Sequence, residues 1–272
     1  MIPAAFDYVR AESADNAVAQ LAEHGDEAKL LAGGMSLLPL MKLRLATPAV
    51  LVDVGRVSEL SYVRDAGDHV AIGALTRHRD VETNDVLARE CGVLRAVAAQ
   101  VGDNQVRHRG TIGGSIAHGD PASDLPAALL ALDATFVAQG PGGTREIAAS
   151  EFFQGFLETA LAPDELLREI RVPKTGANGF AFEKFNRRAQ DFATVGVVAA
   201  RTSGGTHVGL INMGSTPLRA TAVEQALAQG ASAADAAARA ADGTEPSADL
   251  NASVEYREHL ARVLVRRALE AL

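Results

Sequence analysis

The residues with most capacity for chemistry gather in one stretch, RHRGTIGGSIAHGDPASDLP at 107–126. Four glycines, two prolines, three hydroxyl side chains and two aspartates interrupt sequence that is otherwise apolar and helix-like. The pair Gly113-Gly114 lets a ligand approach the backbone closely and permits positive φ. Successive amides in such a turn form a concave site for anionic oxygens. Thr111 and Ser115 add hydroxyl donors, and an ionised Asp124 accepts from a sugar or ribityl hydroxyl. The same composition also describes a tight turn that needs glycine for geometry alone.

A second stretch, KLLAGGMSL at 29–37, repeats the arrangement: an apolar run, a glycine pair and a hydroxyl two residues on. Two such loops in one domain can grip both phosphates of a dinucleotide. Rival chemistries fit less well. His118, Asp120 and Asp124 lie within seven residues, but Pro121 bends the chain between them and no matching His or Cys pair stands elsewhere. Neither Ser36 nor Ser115 lies in a G-x-S-x-G nucleophile turn. No G-x-G-x-x-G follows a strand, which excludes a nicotinamide-binding Rossmann unit.

The elements that must hold these loops can be read from periodicity and punctuation. Ser13 caps a helix over 13–24 that Gly25 ends, and the apolar strand 28–32 delivers Gly33. A helix over 36–45 follows, with Pro39 in its first turn, and then a strand at 49–54. Residues 60–64 and 69–73 form a hairpin. Thr76 caps a short helix, and a longer one runs over 91–101. After the 107–126 loop come a helix at 123–132, a hairpin pairing 134–138 with 144–148, and a strand at 166–172. The polar segment 174–179 is a boundary. Beyond it lie strands at 180–185, 193–201 and 207–212. Helices follow at 221–229, 231–241 and 254–272, the last with Tyr256, Leu260, Val263, Leu264 and Arg267 along one side. Strands followed by helices imply an α+β lobe with its sheet covered on one face. In 180–185, alternation puts Phe180, Phe182 and Lys184 on one face, although a strand lysine is ordinarily solvated.

Ala32-Gly33-Gly34-Met35-Ser36 together with Thr111-Ile112-Gly113-Gly114-Ser115 resembles the paired FAD pyrophosphate loops of the medium, flavin-binding subunit of molybdenum hydroxylases. That family includes aerobic carbon monoxide dehydrogenase and, as a fused domain, xanthine dehydrogenase; the resemblance spans nearly the whole chain. It implies an α+β protein: a two-sublobe FAD-binding domain of the vanillyl-alcohol-oxidase type at 1–173 (sublobes about 1–56 and 57–173), then a smaller α+β C-terminal lobe at 178–272. It assigns the FAD to Ala32, Gly33, Gly34, Met35, Ser36 and Leu37 in the first loop, and to Thr111, Gly113, Gly114 and Ser115 in the second. By the same resemblance Asp124 bonds the ribityl–pyrophosphate region, the backbone near Leu167 borders the cofactor, and Lys184 approaches the flavin from the C-terminal lobe. Phe192, after Asp191, covers the isoalloxazine. Relatives carry histidine or asparagine in place of Met35 and Ser115, positions that work mainly through backbone amides. The loops contain no cysteine, and His108 and His118 fall in no attachment motif, so the FAD is expected to be non-covalent.

The implied function is electron transfer. Substrate is oxidised at a molybdopterin cofactor on a large subunit, electrons cross [2Fe–2S] clusters on a small subunit, and FAD on this chain passes them to an external acceptor. A carbon monoxide dehydrogenase-type complex, a dimer of heterotrimers, is the leading expectation. The alternatives are a xanthine-, nicotine- or aldehyde-type hydroxylase, or a free-standing FAD oxidase, for which the sequence offers no general base. Composition agrees with a relay. Cys91 is the only cysteine, too few for an iron–sulfur cluster, and it precedes an apolar helical run that suits a buried thiol. A net charge of −8 with no lysine–arginine block excludes a nucleic-acid surface. No apolar run reaches the roughly 18–20 residues of a membrane span, and residues 1–12 hold Asp7, Arg10 and Glu12 but no signal-peptide core. The expected location is cytoplasmic, or at the inner face of a membrane through the complex.

Overall fold

In the computed structural model, which describes residues 2–272, β1 (Asp7–Arg10) leads into α1 (Ala14–His24). The Ser13 hydroxyl accepts the Asn16 amide and Gly25 closes the helix, so both end signals hold. The strand β2 (Ala28–Leu31), helix α2 (Leu37–Lys42) and strand β3 (Val50–Asp53) complete the first sublobe. The three strands form a parallel sheet in the order β1–β3–β2. Ala14, Ala17, Val18 and Leu21 of α1 share one core with Val50 and Val52, as expected where helices cover a parallel sheet.

The second sublobe begins with the hairpin β4 (Val63–Asp65) and β5 (His69–Gly73). Six helices follow: α3 (His78–Thr83), α4 (Asp85–Glu90), α5 (Gly92–Ala99), α6 (Asn104–Arg109), α7 (Ile112–His118) and α8 (Asp124–Ala131). Next come β6 (Thr135–Gly140), β7 (Gly143–Ala148), α9 (Ala149–Phe152), the short pair β8 (Phe153–Gly155) and β9 (Glu158–Thr159), and β10 (Leu166–Pro173). The antiparallel order is β4–β5–β10–β6–β7. Every residue of α8 is buried, Asp124 included. Phe136 and Phe152 meet edge to face at 4.6 Å between centroids, a favoured aromatic geometry.

The C-terminal lobe has the antiparallel sheet β11 (Phe180–Phe185), β12 (Val195–Thr202), β13 (Gly205–Ile211) and β14 (Leu218–Arg219), in chain order. The helices α10 (Thr221–Ala228), α11 (Ala233–Ala237) and α12 (Val254–Glu270) follow. Val197, Ala199, Leu210, Val223, Leu260 and Leu264 form the core between this sheet and its own helices. The opposite face is covered too. Val198, Ala200 and Ile211, with Phe180 and Phe182, join the core of the second sublobe. The sheet is therefore sandwiched, whereas its sequence implies one covered face. Gly209 permits this contact: a Cβ there would fall against the Ala127 carbonyl of α8, closer than real Cβ contacts allow. The polar 174–179 segment is pinned, with the Thr175 and Gly176 amides donating to the Glu90 carbonyl.

Three other departures have physical causes. The 107–126 stretch, whose composition marks a loop, is largely helical. Asp103 caps α6, the Thr111 hydroxyl accepts the Gly114 amide to cap α7, and Gly119 ends α7 in the left-handed region. Thr76 caps nothing; its hydroxyl donates to the Tyr62 carbonyl, and Arg77 stands at the start of α3. On α12 the buried stripe is Arg257, Leu260, Ala261, Leu264, Val265 and Ala268, while Tyr256 and Arg267 face solvent. Alanines, and an arginine paired with Asp249 at 2.8 Å, define a face that aliphatic spacing alone misplaces. The Gly209 contact is testable. Overpacking of a core costs about 1–3 kcal/mol, and at about 2–4 °C per kcal/mol for a chain this long Gly209→Val should lower the circular-dichroism melting midpoint by several degrees. An unchanged midpoint would mean that α8 and β13 do not touch there.

Candidate functional site

A cleft of about 660 Å³ lies where the two sublobes and the C-terminal lobe converge, within the roughly 300–1,000 Å³ usual for small-molecule sites. All fourteen residues that the sequence resemblance assigns to the cofactor line it: Ala32 to Leu37, Thr111, Gly113, Gly114, Ser115, Asp124, Leu167, Lys184 and Phe192. They come from segments far apart in the chain.

The first glycine loop leaves β2 and turns into α2. A Cβ on Gly33 would lie 2.8 Å from Gly110 Cα, so this loop sits directly on the backbone that leads into the second. The Arg77 guanidinium donates to the Arg109 carbonyl at the same junction. Gly34 takes φ 75°, a conformation most side chains resist. Among the described residues the amides of Gly33, Gly34, Met35 and Ser36 donate to no protein acceptor. Unpaired amides are rare inside proteins; here they face a cleft and form a ready cradle for anionic oxygens.

The second loop is built differently. The Ile112 amide donates to the Thr76 carbonyl at 3.0 Å and Gly113 to the Ala74 carbonyl at 2.9 Å. Gly114 donates to Thr111 Oγ1 at 3.1 Å and Ser115 to the Thr111 carbonyl at 3.1 Å. Its amides are thus engaged, contrary to the expectation that they form an anion nest, and neither Gly113 nor Gly114 has positive φ. Capping and packing against Ala74, just beyond β5, account for this: a Cβ on Gly113 would sit 2.6 Å from the Ala74 carbonyl oxygen. What this loop offers a ligand is the Thr111 and Ser115 hydroxyls. The first loop supplies backbone donors and the second supplies side-chain donors.

Asp124 and Lys184 cross the lobe boundary. Lys184 Nζ donates to Asp124 Oδ2 at 2.7 Å and to the Gln100 carbonyl at 3.0 Å, and its side chain is only 4% exposed. It is no solvated strand lysine. Asp124 Oδ1 is buried without a partner, an acceptor left for a ligand hydroxyl. Burial pushes the Asp124 carboxyl up to about 6, outweighing the opposing pull of Lys184. Leu167 lines the cleft at the β10 bulge, where the β10–β6 register shifts. Phe192 lies on the β11–β12 turn and is 62% exposed, not a core aromatic. The Asp191 carboxylate accepts the Phe192 amide at 3.0 Å and the Arg188 guanidinium at 3.2 Å.

Two contributions carry little sequence signal. Leu157, Leu161 and Leu166 form an apolar wall through shape alone. His78, among arginines in TRHR, lies buried under the second loop with Nε2 3.2 Å from Ser115 Oγ; its nearness to Gly110 is the only trace, and it is tertiary. Free amides and hydroxyls at one end, an orphaned acceptor further along and an apolar wall fit an extended dinucleotide such as FAD.

The Asp124 environment has a signed consequence. Its folded value of about 6 exceeds the unfolded value of about 3.9, so its contribution to stability is fully present below about pH 4 and is lost as pH rises through about 6. Asp124→Asn removes that dependence. The melting midpoint of the variant minus that of the parent should increase across this window in the FAD-free protein. A flat or falling difference would show that the carboxyl is not raised.

Comparison with known proteins gives a concordant result. Residues 4–175 match the family described as the FAD binding domain in molybdopterin dehydrogenase. Residues 180–272 match the CO dehydrogenase flavoprotein C-terminal domain. The chain is 42% identical to the carbon monoxide dehydrogenase medium chain of Hydrogenophaga pseudoflava, over 100% of this chain and 98% of that one. It is 38% identical to the 6-hydroxypseudooxynicotine dehydrogenase complex subunit alpha of Paenarthrobacter nicotinovorans, over 99% and 95%. A solved structure of the Hydrogenophaga pseudoflava carbon monoxide dehydrogenase, lacking the Mo-pyranopterin moiety of its molybdenum cofactor, superposes with TM-score 0.95 at 43% identity, covering 100% of this chain and 98% of that one. Paired glycine loops, the cleft they share and the sandwiched C-terminal sheet thus have one explanation: the chain belongs to the FAD-binding subunits of the molybdopterin dehydrogenases.

Proposed function

We propose that this chain is the FAD-carrying electron-transfer subunit of a carbon monoxide dehydrogenase-type molybdenum hydroxylase. The observation that carries the reading is the single cleft lined by both glycine loops, Asp124, Lys184 and Phe192. Bound FAD supplies a centre that accepts electrons singly and releases them in pairs. The chain's own residues bind and orient. The free amides at 33–36 hold pyrophosphate oxygens, Thr111 and Ser115 donate from the opposite side, and Asp124 Oδ1 accepts a ribityl hydroxyl. Lys184 holds that carboxylate in place from the C-terminal lobe. Phe192, projecting from a turn, shields the reactive edge of the ring and sets access for an acceptor.

The substrate is assigned to a partner. Relatives named for carbon monoxide and for 6-hydroxypseudooxynicotine match this chain along nearly its whole length at 42% and 38% identity, which favours a substrate site outside this subunit. Phe156 (67% exposed), Leu157 (41%) and Phe192 (62%) support a protein docking edge, since exposed apolar groups near a site mark contact surfaces. The partners in this reading are a large molybdopterin subunit and a small [2Fe–2S] subunit, arranged as a dimer of heterotrimers in the cytoplasm. Among the described residues no helix is long and apolar enough to cross a membrane.

The purified chain should take up FAD, release all of it into the supernatant on acid precipitation, and be bleached by dithionite but not by carbon monoxide. Adding the two partner subunits should restore reduction by carbon monoxide; bleaching of the lone chain by that substrate would overturn the relay. In the assembled complex, Phe192→Ala should change reoxidation by quinone or oxygen severalfold and leave FAD content within error. Unaltered acceptor kinetics would remove Phe192 from the site.

A further inference from the structure

We infer that His78 is a positioning residue for the cofactor's phosphates: it turns the Ser115 hydroxyl outward, so that Ser115 donates into the cleft. This rests on the FAD reading and adds to it a residue that never touches the ligand. His78 opens α3, directly beneath the junction of the two glycine loops. Its amide donates to the Gly110 carbonyl at 3.0 Å, and Gly110 has room for no side chain because a Cβ there would lie 2.7 Å from the imidazole Cδ2. The ring is 3% exposed and is fixed from two directions.

Its protonation follows from its surroundings. Burial, reinforced by Arg107 and Arg77, pushes the imidazole down to about 4, so the ring is neutral at working pH, with one nitrogen protonated and the other an acceptor. Nδ1 is buried without a partner, whereas Nε2 lies 3.2 Å from Ser115 Oγ. Orphaned buried N–H groups are rarer than orphaned acceptors, so the proton belongs on Nε2, which donates to Ser115 Oγ. The serine oxygen then receives a hydrogen bond from behind and cannot donate back. Its own proton has no protein acceptor among the described residues, and Ser115 lines the cleft. The hydroxyl is left as a donor aimed at an anionic oxygen. Because the second loop's amides are engaged, this donor and Thr111 are what that loop gives to a phosphate.

The test is FAD affinity of the purified full-length chain, read from quenching of flavin fluorescence, with circular dichroism to confirm folding. Ser115→Ala and His78→Leu should each weaken binding about tenfold, in keeping with one charge-assisted hydrogen bond. The double variant should be no weaker than either single one, because both remove the same donor. His78→Gln, which returns an N–H near the Nε2 position, should bind within about twofold of the parent. Losses that multiply to about a hundredfold in the double variant would overturn the proposal, as would His78→Gln binding as weakly as His78→Leu. If His78→Leu does not fold, His78→Met, which also lacks an N–H donor, takes its place in the same comparison. Normal FAD binding by Ser115→Ala would likewise remove the donor. Failure of the parent chain itself to bind FAD would instead bring down the functional reading.

Discussion

The arrangement of the cleft hangs on one buried ion pair. Asp124 stands in the first turn of a helix buried along its whole length, where a carboxylate without a partner would be expensive. Its partner, Lys184, comes from the lobe beyond the boundary, and its side chain is buried at least as deeply. Removing one member of such a pair costs about 3–5 kcal/mol, because the other charge is stranded. The pair therefore fixes β11 against α8, and β11 carries the turn that holds Phe192. Only one carboxylate oxygen is used in this bond; the other remains for a ligand. One contact thus links the two lobes and shapes the site.

The glycine loops look alike in sequence and act differently in space. In the first, glycine serves close approach and positive φ, and leaves amides exposed to the cleft. In the second, glycine serves packing against Ala74 while the amides are drawn into the capping of α7. An anion placed between them would meet a main-chain surface on one side and hydroxyls on the other. That asymmetry lets side-chain substitution tune one half of the grip while the other depends on backbone shape.

Much of this was legible from the chain alone. The first glycine loop, the hairpin about 65–68, the alternation in 180–185 and the capped helix after Ser13 are local signals, and each corresponds to what forms. The residues that line the cleft followed from resemblance as much as from chemistry. What sequence could not supply is set by tertiary contact. Glycine-rich composition gives no warning that Thr111 and Asp103 cap helices inside the central stretch, because capping and turn-forming residues are the same few types. His78 is indistinguishable from a surface histidine until the fold places Gly110 above it. The buried face of α12 depends on alanines and on Arg257, residues whose burial is decided by the sheet they meet.

The core that runs from Phe136 and Leu129 into Val198, Ala200 and Ile211 ignores the division between the two matched families near residue 175. The two matches divide the chain there, but the buried apolar surface is continuous across the division. A fragment ending at that division would leave α8 bare along the face that now meets β12 and β13, and the C-terminal sheet would lose the cover of one side. Two apolar surfaces of that kind invite self-association. The boundary one would draw on a domain diagram thus runs beside a shared core, and cutting the chain there would split one buried surface into two exposed ones.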